Sequence, residues 1–97
     1  MHKVRIAPLA ERQLDHALAW YSDQAPDQVF RLLSAFDEAR RRIGSQPLLF
    51  REVEPDLRRI ALRVFPYHLW FSIDDDVVII VAVTHFRQET SYLTQHA

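Results

Sequence analysis

Cysteine is absent from this chain of 97 residues, which removes disulfides, thiolate nucleophiles and thiolate metal ligands together. Glycine occurs once, at Gly44, and one glycine cannot build a phosphate-cradling loop. Lysine is almost missing as well: Lys3 stands beside eleven arginines in a basic total of 12. No apolar run approaches the roughly 20 residues of a membrane span. The basic start, Met1 to Ile6, turns polar within a few residues and lacks the apolar stretch of a secretory signal, so the reading is a cytoplasmic protein. The five histidines, His2, His16, His68, His85 and His96, show no pair at helical ligand spacing, and no metal or cofactor site is read from them. The serines lack any nucleophile-elbow context.

What is present is a globular composition. A hydrophobic content of 48% excludes a disordered chain, and residues 1–97 read as one domain. A chain of this size buries roughly 60–65% of its unfolded surface. The net charge of −1 argues against a nucleic-acid footprint spread over the whole protein. The arginines suit bidentate contacts to carboxylate or phosphate, and interfaces equally.

Residues 4–6 read as a short strand, and Pro8 sits where a first helical turn tolerates proline. From residue 9 to about 24, Leu14, Ala17, Leu18 and Tyr21 form the stripe of an amphipathic helix. Ala25, Pro26 and Asp27 break it. A second helix follows with Val29, Leu32, Leu33, Phe36 and Ile43 on one stripe, Arg40 to Arg42 in its last turn, Gly44 as the residue just past its end, and Pro47 as a stop. Residues 45–56 read as a loop or edge segment too apolar to be a free linker. Residues 57–65 then alternate Ile60, Leu62 and Val64 against Arg59, Ala61 and Arg63. Residues 67–73 alternate Tyr67, Leu69, Phe71 and Ile73 against His68, Trp70 and Ser72. Asp74 to Asp76 make a turn, residues 77–84 have no polar face, and a short polar tail follows from 88 to 97.

The expected fold is therefore α+β: a short strand and a helical hairpin packed on a mostly antiparallel sheet, in the order β-α-α-β-β-β. Two helices cover one face of such a sheet. The other face is expected to show Trp70 with one row of the last strand, either Val78, Ile80 and Ala82 or Val77, Ile79, Val81 and Val83, and apolar patches of that kind mark interaction sites. The polar constellation is Arg58, Arg59 and Arg63 on one strand, His68 on the next, His85 and Arg87 at the end of the last, and Tyr92 in the tail. Two uses remain open besides solvated edge charges. The arginines meet carboxylates of a partner, or they hold phosphates while a histidine or tyrosine moves protons in RNA cleavage.

The order and spacing of several segments resemble the RelE/ParE superfamily of toxins from type II toxin–antitoxin systems. These are Ile6-Ala7-Pro8 before the first helix, Leu57-Arg58-Arg59-Ile60, Phe65-Pro66-Tyr67-His68-Leu69-Trp70-Phe71, the Asp74-to-Ile80 stretch, and Val83-Thr84-His85-Phe86-Arg87. The resemblance implies a small growth-inhibiting toxin neutralised by a cognate antitoxin that wraps over it, with higher-order toxin–antitoxin assembly among its expectations. RelE-like members cut messenger RNA on the ribosome. By position their basic strand pair falls on Ala61 and Arg63, a later arginine on His68, the late arginine on Arg87 and the tail tyrosine on Tyr92. The ParE-like branch matches better in Arg58-Arg59, the Tyr67 strand and His85-x-Arg87, and implies inhibition of DNA gyrase without hydrolysis. The glycine and second arginine usual there are Phe86 and Gln88 here. A third implication is a toxin fold kept only as an antitoxin-binding module. The surface expected to meet antitoxin or target comprises Trp20, Tyr21, Phe30, Arg58, Arg59, Trp70 and His85.

Overall fold

The computed structural model describes residues 2–88; Tyr92 and the rest of 89–97 lie outside the described residues. The elements are β1 (Lys3–Ile6), α1 (Pro8–Gln24), α2 (Val29–Ser45), β2 (Glu52–Glu54), β3 (Leu57–Ala61), β4 (Tyr67–Asp74) and β5 (Val77–His85). Single 3-10 turns at Pro26–Gln28 and Pro47–Leu49 follow the two helices. The strands form one sheet in the order β1-β5-β4-β3-β2. β1 runs parallel to β5 and every other pair is antiparallel. The α+β architecture expected from the sequence is the one observed, with β2 as an added edge strand inside the 45–56 segment.

The helical hairpin covers one face of the sheet. Ala10 and Ala17 of α1, Leu32, Phe36 and Ile43 of α2, and Leu69, Phe71, Val78 and Ile80 of the central strands make the core. Phe71, Leu69, Val78 and Ile80 are fully inaccessible, and each such side chain contributes about 1.5–3 kcal/mol on transfer from water. Leu33 departs from the expected stripe and is exposed. Ala35 and Ala39 occupy the buried positions instead, because small side chains let α2 lie close to the sheet.

Gly44 also has a different reason from the expected one. α2 continues through Ser45 and Gly44 takes no positive φ. Its carbonyl accepts the His2 N–H at 2.8 Å, and a Cβ there would meet Val4 Cγ2 at 2.9 Å. The glycine permits β1 to pass against the helix. The Gln46 N–H closes the helix on the Arg42 carbonyl, and buried Pro47 ends it.

Two further departures shape the surface. β3 stops at Ala61, and the chain bulges outward between Leu62 and Phe65, both buried. Val64 is thereby turned out of the expected inner row: it is 87% exposed with φ 75°, a strained backbone for a β-branched residue. Trp70, expected on the open face, does lie on that side but is only 7% exposed. Its Nε1–H donates to Thr84 Oγ1 at 2.8 Å, and the Arg59 guanidinium lies 5.3 Å from its ring centre.

β5 contains a bulge that no alternation count reveals. Trp70 pairs with Ala82 while Phe71 pairs with Ile80, leaving Val81 as the extra residue. Strict alternation from buried Ile80 would send Val83 and His85 to the open face. The bulge reverses the phase, so Val83 and His85 join Val78 and Ile80 on the helix side. Neither expected apolar row exists on the open face; it carries Val77, Ile79, Ala82 and Thr84 from β5.

Candidate functional site

β1 ends at Ile6, paired with Ile80, whereas β5 continues to His85. From Val81 onward β5 is therefore an open edge, and α1, launched by Pro8, crosses beside it. The space between them is a groove of about 460 Å³. Its helix wall is Arg12, Gln13, His16, Ala17, Trp20 and Tyr21, at the i, i+4 and i+8 spacing of one helix face. Its sheet wall is Tyr67, Val83, His85, Arg87 and Gln88.

Two glutamines close the backbone of this edge. The Val83 N–H donates to Gln13 Oε1 at 2.7 Å, and the His85 N–H donates to Gln88 Oε1 at 3.0 Å. The Arg87 N–H in turn donates to His85 Nδ1 at 3.1 Å. The His85 ring thus caps the helical start of residues 86–88 through the Arg87 N–H, and Gln88 supplies the return bond of a capping box to the His85 N–H. With Nδ1 accepting, the proton of a neutral His85 ring sits on Nε2. The Phe86 N–H donates to the Pro66 carbonyl at 2.9 Å, and its ring lies 4.5 Å from that of His68. Phe86 and Gln88, the two departures from the ParE-like pattern, both fix the turn that presents Arg87.

Aromatic rings shape the floor. Tyr21 meets Trp20 edge-on at 4.9 Å and Phe65 at 5.4 Å, and Tyr67 meets His85 at 5.2 Å. Burial, and then the neighbouring Tyr21, push the Tyr67 phenol above its ordinary value of 10.0. Trp20 forms the rim and is 54% exposed. Among the described residues no carboxylate lines the groove, and neither Arg12 nor Arg87 has an ion-pair partner.

The groove brings together Trp20, Tyr21, His85 and Arg87 from the sequence-predicted residues. The other described ones lie elsewhere. Phe30, 81% exposed, lines a second groove of about 420 Å³ with Arg31, Arg63 and Val64, where Arg63 reaches Glu38 at 3.5 Å. Arg59, Trp70 and His68 stand on the open face, with Ala61 opposite His68. Arg58 points to the helix side, where its guanidinium donates to the Phe50 carbonyl and reaches Glu52 at 3.5 Å. Arg12, Gln13, His16, Tyr67 and Gln88 were not among the predicted site residues. A helix-face count from Trp20 back through His16 to Arg12 carries the signal for two of them, and the parallel count from Tyr21 through Ala17 reaches Gln13.

No group of three or more histidine, aspartate or glutamate side chains able to hold a metal occurs among the described residues. No helix there is long and apolar enough to cross a membrane. Residues 4–90 match the family model described as the ParE toxin of the type II toxin–antitoxin system, parDE. The toxin ParE2 of Mycobacterium tuberculosis, from strains CDC 1551 / Oshkosh and ATCC 25618 / H37Rv alike, is 34% identical over 84 residues, spanning 86% of this chain and 80% of the relative. A solved structure of a chromosomal ParDE TA system from P. aeruginosa superposes with a TM-score of 0.70 at 14% identity, covering 88% of this chain and 96% of that one. That likeness speaks for the shared fold. Family match and relatives agree, and the chain belongs to the ParE toxin family of type II toxin–antitoxin systems.

Proposed function

We propose that this ParE-family chain arrests growth by binding DNA gyrase without hydrolysis, and that a cognate antitoxin in the same cytoplasm silences it. The observation that carries this reading is the groove beside α1, where the β5 bulge and the capping box aim His85 and present Arg87. Such fixed, exposed cationic and aromatic groups suit hot spots of a protein interface. The residues expected to cut RNA are dispersed. Arg63 is beside α2, His68 is on the open face and Arg87 is at the groove, and Ala61 supplies no charge. Proton transfer needs its groups within about 2.6–3.2 Å of the reacting atoms in one pose, so this dispersal favours binding over hydrolysis. For the antitoxin, the exposed apolar Phe30, Val64 and Trp20 on the hairpin side supply surface for a docked segment.

The test is induced expression of the chain without its genomic neighbour, followed by separate pulse-labelling of DNA and protein synthesis. Early loss of DNA synthesis with translation intact is the expected result. Early loss of translation would transfer the assignment to ribosome-dependent RNA cleavage by Arg63, His68 and Arg87. Undiminished growth would leave an antitoxin-binding module.

A further inference from the structure

We infer that the groove between α1 and the end of β5 binds a nucleoside polyphosphate. This takes the groove to be the functional site, as above, but does not depend on gyrase being the target. The first observation is that the groove is rich in hydrogen-bond donors and has no carboxylate among its described lining residues. The side-chain oxygens of Gln13 and Gln88 each accept a backbone N–H, from Val83 and His85, and both amides keep their two N–H donors for a ligand. Tyr67 supplies a phenolic O–H, and His85 has Nδ1 engaged by the Arg87 N–H, leaving Nε2–H. A site of donors selects an anion of many acceptor oxygens.

The second observation is the placement of charge. Arg12 comes from the helix wall and Arg87 from the sheet wall; neither is neutralised by a carboxylate among the described residues. Guanidiniums on two opposing walls suit a polyvalent anion better than a single carboxylate, which one bidentate arginine would satisfy. The third is size and shape. About 460 Å³ is far more than a bare phosphate fills and falls within the range of small-ligand sites. Trp20, 54% exposed at the rim, offers a flat face on which a base can stack. Phosphates between Arg12 and Arg87, with the base against Trp20, use all three features.

The ligand chemistry has two sources, a free nucleotide or the phosphorylated end of a nucleic-acid strand. Isothermal titration of the purified chain with ATP, adenosine, tripolyphosphate and a 5′-phosphorylated single-stranded oligonucleotide separates them. ATP is expected to bind, with adenosine and tripolyphosphate each at least about tenfold weaker, equivalent to about 1.4 kcal/mol. A tighter oligonucleotide would assign the source to a strand end, and a tighter ATP to the free nucleotide. Arg12→Ala and Arg87→Ala should each weaken ATP by about tenfold or more, Trp20→Ala should weaken ATP but not tripolyphosphate, and Arg5→Ala on the open face should change nothing. Melting curves of each variant establish that it is folded.

No heat from ATP at millimolar concentration, equal binding of ATP and tripolyphosphate, or affinity unchanged in folded Arg12→Ala and Arg87→Ala would overturn the inference. So would a polyglutamate peptide that outcompetes ATP, since the groove would then be a carboxylate site. Because the titration contains no gyrase and no cells, its failure leaves the toxin reading standing. Conversely, a failed growth or gyrase test leaves this binding measurement intact.

Discussion

The arginines around β2 and those around the open end of β5 are engaged differently. At the β2 end, Arg58 clamps the Phe50 carbonyl and Glu52, Arg42 lies over the Phe50 ring at 5.5 Å, and Arg40 and Arg41 both reach Asp37. At the β5 end, Arg12 and Arg87 face a groove with no carboxylate among its described lining residues. The first set is engaged with groups of the chain itself; the second has no ion-pair partner among the described residues. One residue type in one small chain is therefore committed on one side and, on the proposed reading, offered to a partner on the other, and only its neighbours distinguish the two.

Exchanging the roles breaks this comparison most sharply. Arg87→Glu should abolish growth arrest on induced expression, raising colony recovery by orders of magnitude. Its melting temperature should stay within the range of an ordinary surface change, about 0.5 kcal/mol. Arg58→Ala should do the reverse. It leaves the Phe50 carbonyl without its donor and costs about 1–3 kcal/mol by chemical denaturation, while the folded fraction keeps its activity. If Arg87→Glu melted early and Arg58→Ala lost activity while fully folded, the division between the two sets would be wrong.

Smaller effects sharpen the same picture. Val64→Asn relieves a φ of 75° that asparagine tolerates, and should raise stability by about 1 kcal/mol, or roughly 4 °C in Tm. An unchanged Tm would mean that the neighbouring anchors, Leu62 and Phe65, do not strain the turn. Smallest is Asp37, whose carboxyl is held below its ordinary value of 3.8, first by the hydrogen bond from Arg40. A depressed native value stabilises the fold fully above the unfolded value and loses that contribution as pH falls through the native one. Native protein and Asp37→Asn should thus differ slightly at neutral pH and converge well below pH 3.8, read by urea midpoints at each pH.

Much of this was legible in the chain. The helix stripes, the Leu69 and Phe71 alternation and the Val77-to-Ile80 run depend on local periodicity, which burial enforces residue by residue. Two things were not legible. The bulge at Val81 inserts one residue into a run of uniformly apolar, mostly β-branched side chains, so no polar residue marks the change of phase. Gly44 looked like a helix terminus because glycine favours that place, yet it answers to Val4, forty residues earlier in the chain. Of the site, His85 and Arg87 were visible through the family pattern. Gln13 and Gln88 were not, because an uncharged amide announces nothing until a strand edge needs its oxygen.

The measurement closest to the central claim is supercoiling of relaxed plasmid by purified DNA gyrase, titrated with the free chain and with folded Arg87→Glu. The account predicts dose-dependent inhibition by the chain, with the variant needing at least about 30-fold more protein, the penalty of losing a hot spot of about 2 kcal/mol. Unchanged supercoiling at large molar excess of the chain, or equal potency of the variant, would contradict it.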